Sequence, residues 1–210
     1  MIRILVADDH AVVRNGLKQI VGDTPDMVIA AEASNGQEAL NKALKDDYDV
    51  VLLDITMPDR SGLDILKEIK SQKPELPVLI LSMHPEEQYA VRALKAGAAG
   101  YLTKESAPEE LVRAMRRVSV GGKYITSSLA EKLASLLETG VEKPLSQALS
   151  DREYQVLCMI ASGKRVKQIA DELLLSVKTI STYRSRVLRK MKMNNNVELT
   201  RYAIQNRLVS

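Results

Sequence analysis

The chain has one cysteine, Cys158, in 210 residues, so an internal disulfide is excluded and a reducing compartment fits. Long apolar stretches are missing too. No run free of Asp, Glu, Lys and Arg exceeds ten residues, and charges at Arg3, Asp8 and Asp9 interrupt the opening segment. Neither a membrane span nor a secretory signal is therefore expected, and a soluble cytoplasmic protein with no membrane partner is. Acidic residues are absent from Leu173 to Met193, a stretch that holds Lys178, Arg184, Arg186, Arg189, Lys190 and Lys192. What is present is ordinary for a globular protein: 45% hydrophobic and 27% charged residues, at a length suited to one or two domains.

The net charge of +3 conceals a partition. Residues 1–120 carry 15 basic against 19 acidic side chains, residues 121–145 carry three of each, and residues 146–210 carry 12 against 5. An acidic module, a linker and a basic module are expected over those ranges. A basic module that displaces cations from phosphates has the electrostatic footprint of a nucleic-acid binder.

In the acidic half, short apolar runs alternate with one-sided helical spacing. The runs Ile2–Ala7, Val28–Ala31, Val50–Leu53, Val78–Leu81 and Gly100–Thr103 read as strands. Between and after them, 12–21, 37–44, 62–69, 86–96 and 108–118 place apolar residues three and four apart. Turn pairs such as Asn35-Gly36 and Pro58-Asp59 fall between these elements. Five such repeats predict an α/β fold: a five-stranded, doubly wound parallel sheet.

Ligands of that architecture bind beyond the carboxyl ends of the strands. Asp8 and Asp9 end the first strand, Asp54 the third, Ser82 the fourth and Lys104 the fifth. With strand order 2-1-3-4-5 the three carboxylates converge, and without a cation they would raise each other's pKa. A hard divalent ion relieves that repulsion, and clustered carboxylates with few other ligands suit Mg²⁺, which also binds phosphate oxygens. An aspartate beside such an ion is a competent nucleophile toward phosphorus. Lys104 and the Ser82 hydroxyl supply donors for the phosphoryl group.

Asp8-Asp9-His10, Asp54-Ile55-Thr56-Met57-Pro58 with Gly62 beyond, Ser82, Tyr101 and Lys104 together resemble a response-regulator receiver domain of flavodoxin-like fold. The resemblance implies that Asp54 accepts a phosphoryl group from a sensor histidine kinase. It assigns Mg²⁺ to Asp9, Asp54 and the Thr56 carbonyl, with Asp8 helping to hold the ion. Lys104 pairs with the phosphoryl group, Ser82 turns toward it, and Tyr101 is the ring coupled to that move. Thr56 and His84 stand where the family tunes hydrolysis of the acyl phosphate. His84 is not expected to bind the metal, and His10 is expected to be a turn residue.

Beyond Gly121-Gly122, Leu129, Leu133, Leu136 and Leu137 predict a short linker helix over 127–138. The pattern from Leu149 is helical throughout. Ser150 and Glu153 form a capping box for a helix reaching Ser162, closed by Gly163; a second helix runs 166–174, and Ser176 caps a third over 177–191. Two helices joined by a short turn, the second basic, make an all-α helix-turn-helix domain.

Leu149-Ser-Asp-Arg-Glu153, Ile160-Ala161-Ser162-Gly163, Leu174-Leu175-Ser176-Val177-Lys178-Thr179-Ile180 and Leu188-Arg189-Lys190-Met191 resemble the LuxR-type DNA-binding domain. The whole chain is similar to response regulators of the NarL/FixJ group. That implies phosphate contacts at Lys178 and Thr179, with Ser181, Thr182 and Ser185 facing the major groove of promoter DNA. Hydroxyls discriminate bases weakly, so Arg184 or Arg186 is expected to carry more of the readout, with Arg189 on the same basic helix. The last helix, 197–206, is where the family forms homodimers, and RNA polymerase is a further expected partner. Two rival readings are an aspartyl-phosphate phosphatase and a receiver with a protein-interaction output. The first lacks its acid, because Asp54 is followed by Ile55-Thr56 with no second aspartate.

Overall fold

Residues Val50–Leu53 and Val78–Ser82 are buried throughout, as strands covered on both faces must be. In the computed structural model, which describes residues 1–138, 145–206, 208 and 209, they are β3 and β4 of a parallel sheet. The others are β1 (Ile2–Ala7), β2 (Met27–Ala33) and β5 (Gly100–Thr103), and the order is β2-β1-β3-β4-β5. Helices α1 (Ala11–Gly22), α2 (Gly36–Lys45), α3 (Gly62–Gln72), α4 (Glu86–Lys95) and α5 (Pro108–Ser119) follow β1 to β5 in turn. Ile4, Val6, Val50, Leu52, Leu79 and Leu81 join Leu17 and Val21 of α1 and Leu111, Ala114, Met115 and Val118 of α5 in one core. Alternate strand residues point to the opposite face, where α2 and α3 pack together.

This first compact unit is Met1–Ala130, ten residues longer than the acidic half defined by charge. The extension has a backbone cause. Tyr124 N donates to Ala99 O at 2.8 Å and Tyr124 bridges Gly100, so the chain after α5 runs along β5. Gly100 permits the approach, since a Cβ there would lie 2.6 Å from Tyr124 O. Helix α6 spans Ser127–Glu138, the range its leucines predict.

The second unit, Glu131–Ser210, contains a 3₁₀ turn at Leu145–Ala148 and helices α7 (Asp151–Ala161), α8 (Val166–Glu172), α9 (Val177–Met191) and α10 (Asn196–Gln205). Val156, Met159 and Ile160 of α7 pack with Ile169, Ala170 and Leu173 around Ile180 of α9. The Ser150–Glu153 capping box is formed as its spacing predicts. Helix α8 stops two residues before the predicted end at 174, because Leu174 adopts a left-handed backbone with φ 50°.

Candidate functional sites

Register brings the acidic residues together. Ala7 of β1 lies opposite Leu53 of β3, and Asp54 N donates to Ala7 O at 2.9 Å, so Asp8 and Asp54 leave the sheet side by side. Ligand atoms of Asp8, Asp9, His10 and Asp54 all lie within 4.8 Å of one another. Asp8 and Asp54 are buried, whereas Asp9 and His10 are exposed. His10, expected as a turn residue, is the N-cap residue of α1 with extended backbone, and its Nδ1 stands 2.8 Å from Asp9 Oδ1. No pattern around His10 signals that second position. His84 lies outside this group among the described residues.

Lys104 leaves β5 toward the same place. Its Nζ is 2.6 Å from Asp8 Oδ2 and 2.7 Å from Asp54 Oδ2, and its side chain is only 4% exposed. Burial pushes the Asp54 carboxyl up to about 6 even though Lys104 pulls it down, and Asp8 adds to the upward push. Burial also opposes the charge on Lys104, but Asp54 and Asp8 outweigh it and hold the ammonium above its ordinary pKa. Three carboxylates facing one ammonium leave an uncompensated negative charge among hard oxygen donors, a donor set that fits a small divalent cation.

The surrounding residues fix this pocket. Asp54 Oδ1 accepts from Thr56 N at 3.1 Å. Ser82 is the last residue of β4 and fully buried, and its Oγ accepts from His84 N at 3.1 Å. The Tyr101 ring is buried and its hydroxyl donates to His84 O at 2.8 Å. His84 Nε2 lies 3.1 Å from Thr56 Oγ1. Gly62 is required by close approach, since a Cβ there would stand 2.0 Å from Asp54 O.

In the second unit, α8, the turn and α9 form the helix-turn-helix. Ser176 Oγ accepts from Thr179 N at 3.0 Å and starts α9. Ile180, Val187 and Met191 are buried, while Lys178, Ser181, Thr182, Ser185, Arg186 and Arg189 are exposed. Spacing of four, three and four residues sets Lys178, Thr182, Ser185 and Arg189 in one stripe. The Thr182 and Ser185 hydroxyls each donate to the carbonyl four residues back, at 3.0 Å. Thr179 is half-buried. Arg184 is also half-buried, and its Nε donates to Asn196 Oδ1 at 2.7 Å, which ties α9 to the first residue of α10. Lys190 Nζ meets Glu153 Oε2 at 2.5 Å and so serves the domain's own architecture. Val197 and Ile204 leave an exposed apolar patch on α10.

Comparison with known proteins covers both units. Residues 4–116 match the response regulator receiver domain, and residues 147–203 match the bacterial regulatory proteins of the luxR family. The chain is 37% identical over 209 residues to the response regulator UvrY of Escherichia coli, covering 99% of this chain and 96% of that protein. It is 36% identical over 211 residues to the response regulator GacA of Pseudomonas aeruginosa, covering 100% and 98%. Among solved structures it is similar to RcsB from Salmonella enterica serovar Typhimurium bound to promoter rprA in the presence of phosphomimetic BeF3−. That match has TM-score 0.65 and 26% identity over 96% of this chain and 97% of that one.

Proposed function

Because the chain belongs to the two-component response regulators of the NarL/FixJ group, DNA-binding transcription regulators with a receiver and a LuxR-type domain, we propose that phosphorylation of Asp54 controls its binding to promoter DNA. The observation that carries this reading is the buried Asp8–Lys104–Asp54 cluster at the carboxyl end of the sheet. The donor is a phosphohistidine of a sensor histidine kinase. An Asp54 carboxylate oxygen forms a bond to phosphorus while the phosphorus–nitrogen bond breaks, and the imidazole keeps the electron pair. Lys104 moves from the carboxylates to the new phosphoryl oxygens. Ser82 turns its hydroxyl toward them, and Tyr101 follows as the mobile ring.

Asp8, Asp9, Asp54 and the Thr56 carbonyl would hold Mg²⁺, which when bound offsets the negative charge of carboxylate and phosphoryl group. The receiver is assigned to 1–120, the linker to 121–145 and the DNA-binding domain to 146–210, a division supported by family matches that end at 116 and resume at 147. On DNA, Lys178 and Thr179 contact phosphates, while Ser181, Thr182 and Ser185 face the major groove with the exposed Arg186 available to the readout and Arg189 on the same basic helix. Arg184 contributes to the readout from its position beside Asn196. Active protein pairs through the exposed Val197 and Ile204 of α10, and RNA polymerase is its further partner. Among the described residues no helix is long and apolar enough to cross a membrane, which fits a cytoplasmic site of action.

Asp54→Asn keeps the shape of the side chain and cannot form an acyl phosphate. The full chain with Mg²⁺ and acetyl phosphate is expected to take up one phosphoryl group and to shift promoter DNA in a gel, and Asp54→Asn to do neither. Uptake by Asp54→Asn would overturn the assignment.

A further inference from the structure

The loop between β3 and α3, residues 54–61, carries Thr56, which His84 also meets through its side chain, and is held at its base and at its far side as well. At its base Gly62 N donates to Ile55 O at 2.9 Å. At its far side the Asp59 carboxylate accepts from Gly36 N through Oδ1 and from Gln37 N through Oδ2, both at 2.8 Å. Those are the first two amides of α2, and the third, Glu38 N, donates to Asn35 Oδ1 at 2.9 Å. A helix leaves its first amides without intrahelical partners. Here two of them are taken by a residue more than twenty positions away, so what completes the start of α2 also ties down the loop beside Asp54.

The contact is closely fitted. A Cβ at Gly36 would stand 3.1 Å from Asp59 Oδ1 and 2.2 Å from the Cδ1 of Ile65 in α3, so any larger residue there would crowd the contact. Burial opposes the charge on Asp59, but the backbone amides outweigh it and hold its carboxyl below the ordinary range. The clamp is an ionised one, aimed at the positive end of a helix. From Asp59 the loop returns through Pro58 and Met57 to Thr56, whose amide donates to Asp54 Oδ1.

We propose that Asp59 is a positioning residue: by clamping the 54–61 loop to the start of α2 it fixes the backbone of Thr56 beside Asp54, and so sets the affinity of the acidic pocket for a divalent cation. This rests on the reading above in which Thr56 and the three aspartates hold Mg²⁺. Asp59 touches neither the ion nor the phosphoryl group; it acts through the loop.

The test is calorimetric titration of MgCl₂ into the full chain, unphosphorylated, so that the readout is binding and not turnover. Asp59→Ala should weaken Mg²⁺ binding about tenfold, the usual scale for losing a group that orients a ligand. Asp59→Asn, whose single carbonyl-type oxygen can take only one of the two amides, should fall between Asp59→Ala and the unaltered chain. It also keeps the test alive if the alanine variant does not fold. Asn35→Ala is the control: it removes the other side-chain cap of α2, lowers the melting temperature, and should leave Mg²⁺ affinity unchanged. Unchanged affinity in both Asp59 variants, or an equal loss in Asn35→Ala, overturns the proposal. If the unaltered chain binds no Mg²⁺, the metal-site reading falls and takes this inference with it. Normal binding in the unaltered chain with no effect at Asp59 sinks the inference alone.

Discussion

Lys104 does two jobs with one ammonium group, because it is the sole cation the structure places within reach of both Asp8 and Asp54 among the described residues. Removing it leaves two buried carboxylates facing each other. Lys104→Ala is expected to destabilise the fold by about 3–5 kcal/mol, as when one member of a buried ion pair is lost. Added Mg²⁺ should restore part of that stability by binding the native pocket alone. Urea denaturation with and without Mg²⁺ measures both effects, and a stability equal to that of the unaltered chain would refute the account. Asp8, Asp9, Asp54, Ser82 and Lys104 were legible in the sequence because strand ends can be read from apolar runs, whereas Tyr101, inside β5, was named only through the receiver resemblance. Asp59 was not legible, since nothing local to it says that its partners are Gly36 and Gln37. His10 was half legible: its place before α1 reads from sequence, its distance to Asp9 does not.

Among the elements, α7 shows how a cap can double as a tertiary contact. Glu153 closes the capping box through Ser150 N at 2.8 Å and also receives Lys190 of α9. Burial pushes its carboxyl upward, but Lys190 and the Ser150 amide outweigh that and hold it below the ordinary glutamate value. A carboxyl depressed in the folded state stabilises at pH above its unfolded pKa and loses that contribution as pH falls through the folded one. Thermal unfolding from pH 7 to pH 3 should therefore show the gap between the unaltered chain and Glu153→Gln shrinking below about pH 4.5. A gap independent of pH would contradict the ionic role.

The exposed stripe of α9 combines two kinds of contact, phosphate at Lys178 and base edge at Thr182. Lys178→Ala should weaken binding to every DNA sequence alike and reduce the salt slope by about one unit. Thr182→Ala should change the preferred sequence instead. Binding-site selection from random DNA, with titrations at several salt concentrations, distinguishes the two, and an unaltered motif in Thr182→Ala would count against its place at a base edge. The boundaries that differ from expectation have local causes. Strand β2 runs Met27–Ala33 and not 28–31, because an edge strand includes half-exposed residues such as Glu32 that hide its apolar pattern. Helix α10 starts at Asn196, one residue early, because Asn195 caps it through Glu198 N.

At the scale of the molecule, an acidic unit and a basic one share a chain, which keeps each at high effective concentration for the other. The basic half freed of the acidic half, residues 146–210, should bind DNA without phosphorylation and more tightly than the unphosphorylated full chain. Gel-shift titration of both proteins on one promoter decides this, and equal affinities would remove the case for restraint. At about 65 residues the fragment will be only marginally stable, so the titration belongs at low temperature.

Sheet order has a further consequence, along the time axis of synthesis. Strands β1 and β3, neighbours in the sheet, deliver Asp8, Asp9 and Asp54 early, whereas Lys104 follows β5, the last strand and an edge one, 50 residues after Asp54. At about 5–20 residues per second on the ribosome, the nascent acidic cluster waits roughly 3–10 s for its ammonium. Until Lys104 has been added, Asp8 and Asp54 lack the ammonium that the folded chain sets between them, so the pocket is completed by the last strand to be made.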